Sequence, residues 1–179
     1  GGELLVRVRP EFAGPSSVEF EAGSAVRIDE EDNPLAKIRI DPGATVQVAP
    51  EGKIGLSGPA VEMAGTLEAL GGEVRVKASQ QSVVLEGGGS ILARGFNRPE
   101  RGLRIQGLPP GVKTVSGGKV ALEAPARDIV LEPGALIDVS GSHPVSALLQ
   151  NQDGSVSTFS TASDPGSVSF EFLTDLKLE

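Results

Sequence analysis

Residues 71–95 read GGEVRVKASQQSVVLEGGGSILARG, and residues 117–141 repeat that line as GGKVALEAPARDIVLEPGALIDVSG. The two stretches align without a gap. Gly71, Gly72, Val74, Ala78, Val84, Leu85, Glu86, Gly88, Ile91 and Gly95 each meet an identical residue. A shorter unit lies inside the duplication: apolar-x-apolar-acidic-x-Gly-small-x-apolar. It occurs at Val18–Val26, Ile38–Val46, Val83–Ile91 and Ile129–Ile137. Self-similarity at fixed offsets is the sequence mark of repeat architectures, in which one unit cannot bury its apolar face alone and must stack on a copy. The unit starts are 20, 45 and 46 residues apart. Read as one, two and two steps, they give a coil of roughly 20–23 residues.

Each unit reads as strand, turn, strand. Val18 and Phe20 alternate with polar residues, as do Ile38 and Ile40, Val83 and Leu85, and Ile129 and Leu131. A period of two puts one set of side chains inward and the other in solvent. The turns use Pro42-Gly43 and Pro133-Gly134, where proline presets φ and glycine accepts positive φ. Alternation resumes after them at Val46 and Val48, Ile91 and Ala93, and Ile137 and Val139. Further short strands begin after glycine corners at Ile54, Val74, Val120 and Val168.

Pro59–Leu70 fits two periods. Ala60, Met63, Leu67 and Leu70 have helical spacing, while Val61, Met63, Gly65, Leu67 and Ala69 alternate. Gly65 inside a helix costs about 1 kcal/mol against Ala, and the neighbours are strands, so strand is the expectation. Pro144–Gln152 suits a helical turn in a loop. Two stretches interrupt the rhythm, both after the same point of the doubled line, at about 96–116 and 142–165. Insertions at equivalent corners are what a stack tolerates.

These patterns predict an all-β fold: a right-handed parallel β-helix, a solenoid of about 7–9 coils of roughly 20–23 residues, occupying 1–179 as a single segment of a larger protein. Stacked coils give each strand a parallel neighbour at about 4.8 Å. Like side chains then form ladders, so Val74 should share a column with Val120, and Leu85 with Leu131, two coils apart.

Composition narrows the function classes. The chain has no Cys, which excludes disulfides and thiolate metal sites, and its formal net charge is -8. Acidic surfaces repel phosphate backbones and anionic lipids, so nucleic acid is not an expected partner. No run of about 18 apolar residues is present, so membrane insertion is not expected. No signal peptide is visible either.

The sequence GGKVALEA followed by DIVLEPGALIDVSG, with GGEVRVKA and GGSILARG, resembles the repeat region of filamentous-haemagglutinin-like exoproteins, large bacterial surface adhesins of the two-partner secretion type. The resemblance covers about residues 18–141. It implies a parallel β-helix that forms part of a long fibre. It also implies export of the parent through an outer-membrane β-barrel transporter, and a secreted or cell-surface location. The Asn-rich secretion motif of that family is not found here, so the resemblance implies shaft rather than secretion domain. Virulence and cell adhesion belong to the same implication.

Chemistry is sparse. His143, the one histidine, sits in a polar corner and supports no catalytic triad. Asp29, Glu30, Glu31 and Asp32 form an acidic run that matches no calcium-loop motif. Glu21, Asp41, Glu86 and Glu132 precede turns, which suits turn support. β-Helices also host carbohydrate-active enzymes, but scattered carboxylates and six Phe with no Trp or Tyr suit neither a paired-acid site nor sugar stacking. No enzyme activity, catalytic residue, metal or cofactor is therefore expected. The basic, ring-containing stretch Arg94–Arg104 is the candidate binding loop, with Arg94, Phe96, Arg98, Arg101 and Arg104 as its contact residues. Its possible ligands are a glycan or a host surface protein. The expected function is a structural shaft, with a glycan- or receptor-binding module as the alternative.

Overall fold

The computed structural model describes residues 16–21, 37–99, 112–150, 153–173 and 176–178. Among these residues every regular element is a β-strand. In chain order the first pass gives β1 (Ser17–Glu21), β2 (Lys37–Ile40) and β3 (Thr45–Gln47). The second gives β4 (Lys53–Gly58), β5 (Ala60–Met63) and β6 (Thr66–Glu68). The third gives β7 (Glu73–Ala78), β8 (Val83–Leu85) and β9 (Ser90–Leu92), followed by β10 (Phe96–Pro99) and β11 (Val112–Val115). The fourth gives β12 (Lys119–Ala124), β13 (Ile129–Leu131) and β14 (Leu136–Asp138), followed by β15 (Val145–Gln150) and β16 (Val156–Thr161). The last gives β17 (Ser167–Phe172) and β18 (Leu176–Leu178).

Successive passes lay their strands side by side in three parallel sheets. The orders are β1-β4-β7-β12-β17, then β2-β5-β8-β13-β18, then β3-β6-β9-β14. The alternation read from sequence therefore becomes register. Val18, Ile54, Val74, Val120 and Val168 form one column of the first sheet, and Phe20, Leu56, Val76, Leu122 and Phe170 form the next. Ile40, Met63, Leu85 and Leu131 align in the second sheet, and Val46, Leu67, Ile91 and Ile137 in the third. These columns are the core. Ile54, Leu56, Val61, Leu67, Val74, Val76, Leu85, Ile91, Val120 and Leu122 are all at most 1% exposed. Each such aliphatic side chain contributes roughly 1.5–3 kcal/mol of transfer free energy. Rings enter the inner columns of the first sheet only at its two end strands, as Phe20, Phe170 and Phe172, while Leu, Val, Ile or Ala fills the middle positions.

The step length corrects the expectation. Val74 pairs directly with Val120, and Leu85 with Leu131, so the 46-residue offset is one step and not two. The first sheet holds five strands among the described residues, against the seven to nine coils expected. The added length resides in two antiparallel hairpins, β10-β11 and β15-β16, which leave the stack after β9 and after β14. Their strands take up much of the two stretches read as loops, and Val145–Gln150 is strand where a helical turn was allowed. Pro59–Leu70 supplies β5 and β6, in line with its alternation.

Two corner types hold the passes in place. At Asp41-Pro42-Gly43-Ala44 the Ala44 amide donates to the Asp41 carbonyl at 3.0 Å, and Gly89 to Glu86 and Ala135 to Glu132 repeat that bond at 2.9 and 3.0 Å. Gly43, Gly88 and Gly134 have φ of 78°, 92° and 88°, as a type II turn requires of its third residue. The other corner stacks Gly52, Gly72, Gly118 and Gly166. The amides of Glu73, Lys119 and Ser167 donate to the carbonyls of Gly52, Gly72 and Gly118 at 2.9, 2.8 and 3.0 Å. A Cβ on Gly72, Gly118 or Gly166 would run into the backbone of the glycine one pass before it.

Candidate functional site

The corner from which both hairpins leave holds four of the residues that the sequence singled out, Arg94, Phe96, Arg98 and His143. Gly71 precedes it with φ of 62°, and its amide donates to the Arg94 carbonyl at 2.9 Å. The ring of Phe96 and the methyls of Val115 close over Gly71, within the space that a Cβ there would take. The first hairpin is therefore folded back onto the stack at its root. Asn97 donates from Nδ2 to the His143 carbonyl at 2.8 Å, which ties the first hairpin to the base of the second. Its Oδ1 is buried without a partner among the described residues. Ser142 and Ser163 exchange bonds: the Ser142 amide donates to Ser163 Oγ at 2.6 Å, and the Ser163 amide to Ser142 Oγ at 3.1 Å. Ser163 Oγ in turn donates to the Val115 carbonyl at 2.9 Å.

The candidate binding residues separate in this geometry. The Arg94 and Arg98 side chains are exposed and Phe96 is half-buried. Arg98 Nη1 bonds Glu51 Oε2 at 3.2 Å, so its charge is partly satisfied across two passes. Arg94 lies close enough to Asp138 to help hold that carboxyl below its ordinary range, behind the larger effect of bonds from Ser140. Arg101 and Arg104 lie outside the described residues. The structure thus brings Arg94, Phe96 and Arg98 to one corner, with the ring turned toward the fold. The acidic run Asp29–Asp32 also lies outside the described residues. Among the described residues no group of three or more His, Asp or Glu could hold a metal ion.

The acids before the turns do local work. Glu132 Oε2 accepts the Gly87 amide at 3.0 Å, across to the preceding pass. Asp41 and Glu86 both meet Arg39, at 3.0 Å each.

Sequence reasoning missed the charge ladders on the outer faces. On the second sheet, Arg39 Nη1 and Lys37 Nζ bond Glu62 Oε2 at 2.6 and 2.9 Å. The bond from Lys37, with that from Arg39, lowers the Glu62 carboxyl below its ordinary range. On the first sheet, Lys53 bonds Glu73 at 2.8 Å and lowers that carboxyl in the same way. Arg75 bonds Glu123 Oε1 through Nε and Nη2, both at 2.6 Å, and Lys77 stands 4.0 Å from Oε2. The signal existed only as register. Lys53, Glu73 and Lys119 occupy one outer column, and Ser57, Lys77 and Glu123 another, which cannot be read until the step length is known.

One open cleft of about 290 Å³ lies on this outer face, lined by Ser17, Val18, Glu19, Lys53, Ile54, Gly55, Glu73 and Arg75. It exists because Gly55 has no side chain in a column otherwise filled by Glu19 and Arg75. Its charged groups are of both signs and two of them, Lys53 and Glu73, already bond each other. The cleft can offer hydrogen bonds to a polar surface. The chain matches no known protein family, no curated protein and no solved structure with which it was compared.

Proposed function

We propose that the chain is a shaft segment of a large secreted bacterial exoprotein, wound as a right-handed parallel β-helix. In this reading its work is to hold adhesive or effector regions away from a cell surface. The observation that carries the proposal is the strand-on-strand register of the doubled sequence, in which each pass adds one strand to each sheet. Length is then set by the number of passes, at about 4.8 Å each. Handedness follows the general preference of parallel crossovers. The resemblance of LEPGALIDVSG and its flanking motifs to filamentous-haemagglutinin-like repeats supports the two-partner secretion route, with an outer-membrane β-barrel transporter as export partner.

Two measurements test this. Additional copies of the 46-residue step (Gly72–Gly117), inserted after Gly117, should lengthen the particle by about 4.8 Å per copy in small-angle scattering. Growth in width, or loss of folding, would overturn the winding. Placed behind a two-partner secretion domain and expressed with its transporter, the chain should reach the cell exterior in a protease-resistant state. Retention in the periplasm, a saturable glycan-array signal, or release of reducing ends from polysaccharide would overturn the shaft reading.

A further inference from the structure

The turn that begins at Ala49 departs from its own repeat. Its closing bond runs from the Gly52 amide to the Ala49 carbonyl at 2.9 Å, and the next pass copies it from Gly72 to Ala69 at 2.9 Å. The third residue of the second turn is Gly71, with φ of 62°; in the first it is Glu51, with φ of 63°. Among the described residues Glu51 is the only non-glycine with positive φ. The left-handed strain of a side chain there lowers the folding constant by about five- to thirtyfold. Strain of this kind directs attention to what the side chain does.

The two later passes keep the closing bond and replace the middle residues of the turn by a hairpin. The Gly118 amide donates to the Ala93 carbonyl, and the Gly166 amide to the Val139 carbonyl, both at 2.6 Å. The first hairpin then runs backwards over the corners already laid down. Phe96 and Val115 lie against Gly71, one pass back. Arg98, two residues further along β10, reaches Glu51, two passes back, at 3.2 Å. Gly71 has to be bare where the hairpin crosses it, since a Cβ there would stand 2.7 Å from Val115 Cγ1 and 3.3 Å from the Phe96 ring. At the next corner the requirement reverses. Glycine would make the Ala49–Gly52 turn without strain, but it could not meet Arg98.

We propose that Glu51 is a positioning residue, which holds the first hairpin as a strap across two corners of the stack. It thereby sets where the basic stretch that begins at Arg94 is carried. An exposed ion pair returns at most about fivefold in an equilibrium constant, no more than the strain removes. The chain thus gives up stability at Glu51 to fix the hairpin in place. The bond from Asn97 to the His143 carbonyl, at 2.8 Å, extends the same fastening to the base of the second hairpin. The inference rests on turn geometry and not on the secretion reading.

Amide hydrogen exchange of the full chain, read residue by residue by NMR, with urea midpoints measured alongside, tests it. Glu51→Gln and Glu51→Gly both remove the ion pair, and each should speed exchange of the β10 and β11 amides about two- to fivefold. Glu51→Gly also relieves the strain. Its folding constant should exceed that of Glu51→Gln by about two- to tenfold, glycine's own flexibility included, while its hairpin exchanges as fast. A firmer stack with a looser hairpin is a pair of readouts that a merely structural role would not give. Arg98→Gln should loosen the hairpin equally, and combining it with Glu51→Gln should change nothing further. Hairpin exchange at the unaltered rate in the Glu51 variants, a Glu51→Gly chain no more stable than Glu51→Gln, or additive effects of Glu51→Gln and Arg98→Gln would overturn the proposal.

Discussion

Ile91 and Ile137 occupy the same column of the third sheet, one pass apart, and replacing each by Ala compares a closed position with an open one. Ile91 is 0% exposed and lies between Leu67 and Ile137. Removing three carbons costs about 2.4 kcal/mol in transfer free energy at ~0.8 kcal/mol per carbon. The ladders on both sides fix the strand spacing, so the hole cannot collapse. A residual cavity of about 40 Å³ adds ~1 kcal/mol at ~24 cal/mol per Å³. The sum is about 3.4 kcal/mol, which in a chain of this size lowers Tm by about 7–14 °C. Ile137 is only partly buried. Its truncation forfeits roughly half the transfer term and leaves no closed cavity, so the cost is about 1–1.5 kcal/mol, or ~2–6 °C. Thermal and urea denaturation measure both. Equal losses, or a larger loss at Ile137, would refute the difference in burial between the two positions.

Gly118→Ala places a methyl against the Gly72 backbone and should destabilise by about 1–3 kcal/mol or more, as overpacking does. Gly134→Ala would meet only an ordinary contact, 3.7 Å to the Gly88 backbone nitrogen, and should cost only the ~1–2 kcal/mol of a left-handed alanine; urea midpoints rank the two. Arg75→Met leaves the Glu123 carboxylate, whose side chain is 11% exposed, with only Lys77 at 4.0 Å. A loss of about 1–3 kcal/mol should follow, and Glu123→Gln in the same chain should restore part of it. Glu62 and Glu73 titrate below their ordinary range in the folded chain. Their contribution is therefore complete above the unfolded value of about 4.3 and disappears as pH falls through the lowered folded values. Tm should be level from about pH 7 to 5.5 and drop as pH falls below the unfolded carboxylate value of about 4.3. A Tm that rises on acidification would contradict those ion pairs.

The alternation and turn chemistry were legible in the sequence because both are local. Val74, Val76 and Ala78 announce their shared face, and Pro133-Gly134 announces its turn, without knowledge of any partner. The step was not legible, because an offset of 46 residues divides as well into two short windings as into one long one. Only the direct pairing of Val74 with Val120 decides between them. Val145–Gln150 was equally ambiguous, since a six-residue hairpin strand gives too short a window for period two to stand out from a helical turn. Of the candidate binding residues, Arg94 and Arg98 lie exposed, as charged residue types do. The inward turn of Phe96 onto Gly71 depends on a contact 25 residues back in the chain, which no local pattern encodes.

The four aligned glycines carry a consequence for how such a chain can vary. The step from Lys53 to Glu73 takes 20 residues and the step from Glu73 to Lys119 takes 46, yet both advance the stack by one strand. The surplus is shed entirely before the chain returns through Gly118. Surface ornament and axial pitch are therefore independent quantities: a hairpin can be lengthened, shortened or exchanged without shifting a single rung beneath it. What cannot vary is the bare backbone at the return point, where one methyl group blocks the next turn from settling.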